Sequence, residues 1–340
     1  MDEKIEEVIE KYPITVKNKK RIRGAILFEA EEGLFVLTKH KDNKQQIAFQ
    51  EEVKADLQRQ GFSVDLGVKN EEGNWLTKDA VGNFHLLKHW YIGRECNLKE
   101  SNEVYQAMEH LARLHRGMVH VGENMKSPAA SKENEEADIV PEENLQEMLG
   151  RRIREMRRVY NYIRTKKRKN DVELSLLSQF HSFYEQAMEA KELADEIPCK
   201  TIQEKCIAEG KVRHGSYTYH NILFAKDQIA TVQFERCQKD MQIYDVYDFL
   251  RKLMEKNNWE KHQGIRAIEA YRHHREMEKW EGKVLYTLLL FPEKFWKQMS
   301  FYYNGKKSWM STKNLGKLEK SQGQEGLRRN FLEEGKRVLF

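Results

Sequence analysis

Apolar positions along the chain follow two periods, and the change falls near residue 100. Before it, short apolar runs and alternation predict strands at 21–30 and 34–38, flanking Glu31-Glu32-Gly33 as in a hairpin with glycine in its turn. One helix interrupts them at 44–59, where Phe49, Val53 and Leu57 recur every fourth residue and Gly61 supplies a stop. Strand patterning resumes at 74–77 and 84–90. From Val104 the period is helical, with Ala107, Met108, Leu111, Ala112 and His115 on the same face, and most of the remainder reads as helix. The pattern predicts an α+β fold: a β-rich small antiparallel lobe at 1–90, a larger helical lobe at 91–303 and a basic extension at 304–340. That extension carries apolar spots only at Trp309, Leu315 and Leu318, so it is expected to wrap the surface.

Residues 118–147 lose the helical period and gain Gly122, Pro128, Pro141 and seven acids between Glu133 and Glu147, the composition of an exposed insert. Directly after it, Leu149, Ile153, Met156, Tyr160 and Ile163 form the apolar seam of a helix. Its other faces carry Arg151, Arg152, Arg154, Arg157, Arg158, Arg164 and the run Lys166-Lys167-Arg168-Lys169. A basic helix can serve as an anion or nucleic-acid surface. Here the aromatic interleaving of such a platform is sparse, so the expectation is a solvated face partnered by the acidic insert, with nucleic acid not among the partners.

Composition narrows the class further. The chain has 340 residues, with 59 Lys plus Arg against 54 Asp plus Glu, and a net charge of +5 is too slight to demand a polyanionic partner. The densest apolar stretch, 284–291, covers eight residues, far short of the roughly twenty needed to span a bilayer. Asp2, Glu3, Lys4, Glu6 and Glu7 stand where a secretory leader would place a basic and then an apolar region, so retention in the cell that makes it is expected. Cys96, Cys199, Cys206 and Cys237 form no C-x-x-C pair and have no histidine at ligand spacing, which predicts reduced thiols and no zinc site.

The chemistry-bearing segment is His214-Gly215-Ser216-Tyr217-Thr218-Tyr219-His220-Asn221-Ile222-Leu223-Phe224, followed by a turn at 226–228 and a strand expected over 229–234. It resembles the catalytic region of the aminoglycoside phosphotransferase and choline kinase superfamily, which reads H-G-D-x-x-x-x-N and then I-D-F or I-D-W. Leu111-Ala112-Arg113-Leu114-His115 resembles that superfamily's L-A-x-L-H helix end, and 84–90 falls where its hinge strand would be. Phosphoryl transfer needs a carboxylate to orient the attacking hydroxyl and accept its proton, and hard oxygen ligands for magnesium.

The resemblance implies that Ser216 stands in the place of the catalytic aspartate, in a loop headed by His214. It implies that Asn221 keeps one metal-ligand position and that Gln233 occupies the other. Serine lacks the basicity, and a neutral carbonyl replaces a charged ligand. Glu235, two residues beyond Gln233 on the expected strand, would face the same side and is the candidate replacement metal ligand beside Asn221. His214 and His220 read first as packed, hydrogen-bonding loop residues. On the nucleotide side only Gly24 stands where a phosphate-covering loop would hold several glycines. Thr38 occupies the expected lysine position and Lys39 comes one residue late, so alternation turns Lys39 from the cleft and leaves Glu51 or Glu52 without a clear role.

A closer resemblance joins Trp90-Tyr91-Ile92-Gly93-Arg94-Glu95-Cys96, the His-Gly-Ser loop and the segment 242–252 to 255–259, 291–296 and 302–309. Together these are similar to the CotS-like spore coat protein family of endospore-forming Firmicutes, over about residues 21–318. The resemblance implies a bilobal protein-kinase-like, aminoglycoside phosphotransferase-like fold. It also implies production in the mother-cell cytoplasm, incorporation into the spore coat and other coat proteins as partners. Asp245, on a helix whose stripe is Val246, Phe249, Leu250, Leu253 and Met254, would brace the loop headed by His214. The expectation is a degenerate kinase, a pseudokinase without cofactor. The alternative is an active small-molecule phosphotransferase using ATP and magnesium through Glu235 and a displaced Lys39.

Overall fold

The strand patterning of the first hundred residues resolves into an antiparallel sheet. The computed structural model describes residues 3–22, 24–41, 43–124, 141, 143–226, 228–305 and 312–340. Helix α1 (Glu3–Ile9) precedes β1 (Val16–Ile22), β2 (Ala25–Ala30) and β3 (Gly33–His40). The run expected as one strand at 21–30 is two strands, because the chain reverses beside Gly24, whose φ of 74° suits glycine. Helix α2 (Lys44–Arg59) has its expected bounds: the Asn43 side chain accepts the Gln46 amide at one end, and Gly61 follows the other. Five short strands follow, β4 (Ser63–Val64), β5 (Gly67–Val68), β6 (Leu76–Lys78), β7 (Phe84–His89) and β8 (Arg94–Glu95).

The main sheet has the order β1-β2-β3-β7-β5, with β6 also paired to β7. Its central register sets Leu37 opposite Leu87, Val36 opposite Lys88 and Lys39 opposite His85. Phe28, Phe35, Leu37 and Leu87 therefore share the face covered by Val8 and Ile9 of α1 and by Tyr12. Val36, Thr38, Leu86 and Lys88 belong to the opposite face.

The chain folds into two compact units, one of residues 1–97, 110–140 and 209–245, the other of 98–109, 141–208 and 246–340. The division does not follow a cut at residue 90. Backbone pairing gives the reason: in the first unit β9 (Val212–Arg213), β10 (Ile222–Phe224), β11 (Ile229–Thr231) and β12 (Gln238–Lys239) come after the helical stretch, yet β10 pairs with β8 and β11 pairs in parallel with β4. Helix α3 (Ser101–Asn124) runs through the first part of the expected insert, and 125–140 and 142 lie outside the described residues.

The second unit is helical: α4 (Leu145–Thr165), α5 (Asp171–Asp195), α6 (Cys199–Ala208), then α7 (Ile243–Lys256) from Val246 onward, α8 (Lys261–His274), α9 (Lys279–Leu290) and α10 (Glu293–Asn304). The seam of α4 is buried through Leu149, Ile153, Met156, Val159 and Ile163, with Val159 taking the place expected for Tyr160. Part of its basic covering is neutralised internally. Arg151 meets Glu143 at 3.0 and 2.5 Å, and Arg152 meets Glu293 at 2.5 Å while lying 4.1 Å over the Trp296 ring. The final residues do not form the expected surface extension. They build α11 (Thr312–Gly323) and α12 (Glu325–Leu339), burying Leu318, Phe331, Leu332 and Leu339. Arg328, also buried, donates to the carbonyls of Leu289 and Leu290, which would otherwise be open at the end of α9. Trp309 lies outside the described residues. Among the described residues no helix is long and apolar enough to cross a membrane.

Candidate functional site

The His214–Asn221 loop is held from behind by one carboxylate. Asp245, in the first turn of α7 and fully buried, accepts the His214 amide at 2.6 Å, the Gly215 amide at 2.8 Å and a hydrogen bond with His115 Nε2 at 3.2 Å. Burial alone would raise its pKa, but the His115 hydrogen bond and the nearby positive charge hold it below the usual aspartate range. Gly215 has φ 76°, and a Cβ there would lie 2.1 Å from the Arg236 carbonyl oxygen, so only glycine fits this turn.

Both ring nitrogens of His214 are engaged in the loop. The Ser216 amide donates to Nδ1 at 3.1 Å, which leaves the proton on Nε2 to bond the Val232 carbonyl at 3.1 Å. Burial pushes the pKa of this ring down, in keeping with a neutral imidazole. Ser216 is half-buried, and the Asn221 side-chain amide donates to its carbonyl at 2.8 Å, closing the loop on itself. His220 Nδ1 lies 2.5 Å from a carboxylate oxygen of Glu95.

Beside the loop lies a buried charge cluster assembled from four separate segments. Lys88 of β7 is 1 % exposed, and its ammonium sits 2.8 Å from Asp65 Oδ2 and 2.6 Å from Glu235 Oε1. Asp65 lies between β4 and β5; its backbone carbonyl accepts Lys54 Nζ at 2.7 Å, and its Oδ2 also accepts the Gln233 amide at 2.9 Å. Lys54 in turn pairs with Glu51 at 2.6 Å, one turn away on α2. Glu51 accepts the Gly67 amide at 2.7 Å, and a Cβ on Gly67 would come within 2.8 Å of that carboxylate. Burial alone would lower the Lys88 pKa, but Asp65 and Glu235 together hold it above the usual lysine range. Burial would raise the Glu235 pKa, and Lys88 outweighs it, holding the carboxyl below its usual range.

Gln233 adopts the left-handed conformation, with φ 70°, and this ends β11 at Thr231, short of the strand expected to reach 234. Oriented to satisfy its neighbours, its side-chain NH2 faces both carboxylate oxygens of Glu235 at 2.9 and 3.0 Å. Two glutamines of α2 hold the same segment, Gln50 through the Glu235 carbonyl at 2.9 Å and Gln46 through the Cys237 carbonyl at 2.8 Å.

The structure thus brings Gln233 and Glu235 together and sets His214, Ser216 and Asn221 in one loop. Lys39 is elsewhere. It lines a cavity of about 550 Å3 with Ile5, Ile26, Leu37 and His85, on the sheet face opposite to Lys88. Glu51 is the inward residue of the Glu51-Glu52 pair, and Glu52 is exposed. Lys54, Asp65 and Lys88 were not singled out by motif. The available signal was a lysine in phase with Leu86 on a sheet strand, which requires the register to interpret.

Magnesium, which the resemblance implies, does not fit this set of donors as they stand. Gln233 presents its NH2 instead of its carbonyl, and Glu235 is engaged by an ammonium. The Asn221 side chain holds the loop backbone. Among the described residues there is no group of three or more His, Cys, Asp or Glu placed to hold a metal.

Solved structures share this fold at low sequence identity. An aminoglycoside phosphotransferase from Alicyclobacillus acidocaldarius superposes with TM-score 0.81 at 17% identity, covering 98% of this chain and 96% of that chain. AMP-bound spectinomycin phosphotransferase gives TM-score 0.62 at 11% identity, over 94% and 93% of the two chains. A choline/ethanolamine kinase family protein from Mesorhizobium loti gives 0.54 at 12%, over 99% and 97%. These likenesses establish an aminoglycoside phosphotransferase-like kinase fold. A comparison with curated proteins found no match. The family model described as "Spore coat putative kinase YutH" matches residues 5–335, and the chain, CotS-like as its motifs indicated, belongs to that spore coat family.

Proposed function

We propose that this protein is a pseudokinase of the spore coat, made in the mother-cell cytoplasm and acting through contacts with other coat proteins instead of phosphoryl transfer. Family membership supports the coat assignment. The observation that supports a loss of chemistry is the state of Glu235: this carboxylate beside the degenerate metal position is bound by Lys88 Nζ at 2.6 Å and by the Gln233 side-chain amide. A metal would have to displace both the ammonium and the amide from it. Ser216, where the superfamily pattern places aspartate, offers no carboxylate to the acceptor hydroxyl. No cofactor is required under this reading.

Calorimetric titration of the full chain with ATP and magnesium tests it, together with a phosphotransfer assay on the same sample. The expected result is no magnesium-dependent binding in the submillimolar range and no turnover. Turnover abolished by Glu235→Gln would instead establish the alternative, an active phosphotransferase with displaced ligands.

A further inference from the structure

We propose that Lys88 is a built-in cation, its ammonium holding Asp65 and Glu235 together in the way a bound divalent metal would, so that this unit keeps its fold without any ligand. The inference rests on the pseudokinase reading and adds what replaced the lost ligand. Three observations carry it. First, the cluster contains three carboxylates, Glu51, Asp65 and Glu235, against two lysines, and removal of Lys88 would take from Asp65 and Glu235 the ammonium that both touch, leaving Lys54 alone against three acids. Second, Asp65 is fully buried and its Oδ1 has no hydrogen-bond partner, so this carboxylate depends on what reaches Oδ2. Third, Lys88 bridges residues that are far apart in sequence: Asp65 lies on the β4–β5 connection and Glu235 lies 147 residues away from Lys88.

A lysine can take this place only because of its register. Opposite Val36 and Gly67, its side chain leaves β7 on the face away from Leu87, and Gly67 contributes no side chain to obstruct it. The four-carbon stem is covered, and only the ammonium meets charge. A buried charge of this kind is strongly coupled to its partners, since loss of one partner leaves the others uncompensated in a low-dielectric site.

The test is thermal unfolding of the full chain with and without millimolar manganese, for the unaltered protein and for Lys88→Ala. The unaltered protein should shift by less than ~1 °C, because its carboxylates are already occupied by the ammonium. Lys88→Ala should lose roughly 10 °C, and manganese should restore most of that loss by entering the vacated position. A second variant guards against simple failure to fold: Lys88→Met combined with Asp65→Asn and Glu235→Gln removes the charges together and should unfold within a few degrees of the unaltered protein, with no response to manganese. Lys88→Ala that is as stable as the unaltered protein, or equally deaf to manganese, would overturn the proposal. A triple variant as unstable as Lys88→Ala would do so as well, by assigning the loss to packing. A manganese-dependent rise in the unaltered protein would sink the pseudokinase reading along with it, whereas failure of the variants alone would sink only this inference.

Discussion

The loop at 214–221 and the charge cluster around Lys88 belong to the same unit but are held together in opposite ways. In the loop one carboxylate holds backbone: Asp245 receives two backbone amides and Gly215 makes the turn that leads into Ser216. In the cluster charged side chains hold one another, with Lys88, Asp65 and Glu235 closing together. The loop depends on satisfied backbone amides, whereas the cluster depends on an ammonium that meets carboxylates otherwise desolvated and alone.

The contrast breaks most readily at the brace. Asp245→Ala strands two buried amides and the His115 ring, so it should cost ~4 kcal/mol in urea unfolding, more than any single change in the cluster short of Lys88 itself. A loss under ~1 kcal/mol would mean that the loop is held by other contacts.

Acid separates the buried histidines from the buried carboxylates by pH window. His214 and His110 both have depressed pKa values, His110 down to about 4 through burial and then Arg113. Below the unfolded histidine value the unfolded chain takes up protons that the folded chain refuses. Their contribution is thus fully present above about pH 6.5 and is lost as pH falls, with His110 alone accounting for ~3 kcal/mol between there and its folded value. Glu235 and Asp245 act lower, because a depressed carboxylate pKa gives stability that is present above about pH 4 and lost only beneath it. Denaturation midpoints measured from pH 7 to 3 should therefore fall in two stages, and His110→Gln should flatten the first.

Within the cluster, Glu235→Gln should cost ~1–2 kcal/mol, since the side chain is 33% exposed and Lys88 keeps Asp65. Gln233→Gly should be smallest, within ~1 kcal/mol by denaturant titration: relief of the left-handed backbone offsets loss of the amide contact to Glu235. A larger loss would make that side chain part of the cluster's support.

Local patterns made one half of this contrast legible in the sequence. The spacing of His214, Gly215 and Asn221 read directly, the family resemblance implied the place of Asp245, and α2 was bounded by its every-fourth apolar residues and Gly61. Alternation also turned Lys39 from the cleft side, as the sheet register has it. The cluster was hidden because each of its lysines looks like an ordinary solvated residue: Lys54 sits one turn from an acid on an amphipathic helix, and Lys88 interrupts an apolar strand. Only the pairing of β7 with β3 and β5 reveals that Lys88 is enclosed, and only the packing of α2 against the Asp65 connection reveals it for Lys54. The C-terminal helices were missed for a related reason, since α12 buries Arg328 and Gly335 along with its few large apolar residues.

The four cysteines make the molecule a set of clocks. Cys96 and Cys237 belong to one unit and Cys199 and Cys206 to the other, each at most 2% exposed and none in a disulfide. Burial pushes the Cys199 thiol up to about 11 and that of Cys237 higher still, so neither presents a thiolate to an attacking reagent in the closed state. Alkylation must then wait for an opening, and the rate at each cysteine counts how often its own neighbourhood comes apart. In an oxidising surrounding the same arrangement delays cross-linking between chains until one of these neighbourhoods loosens.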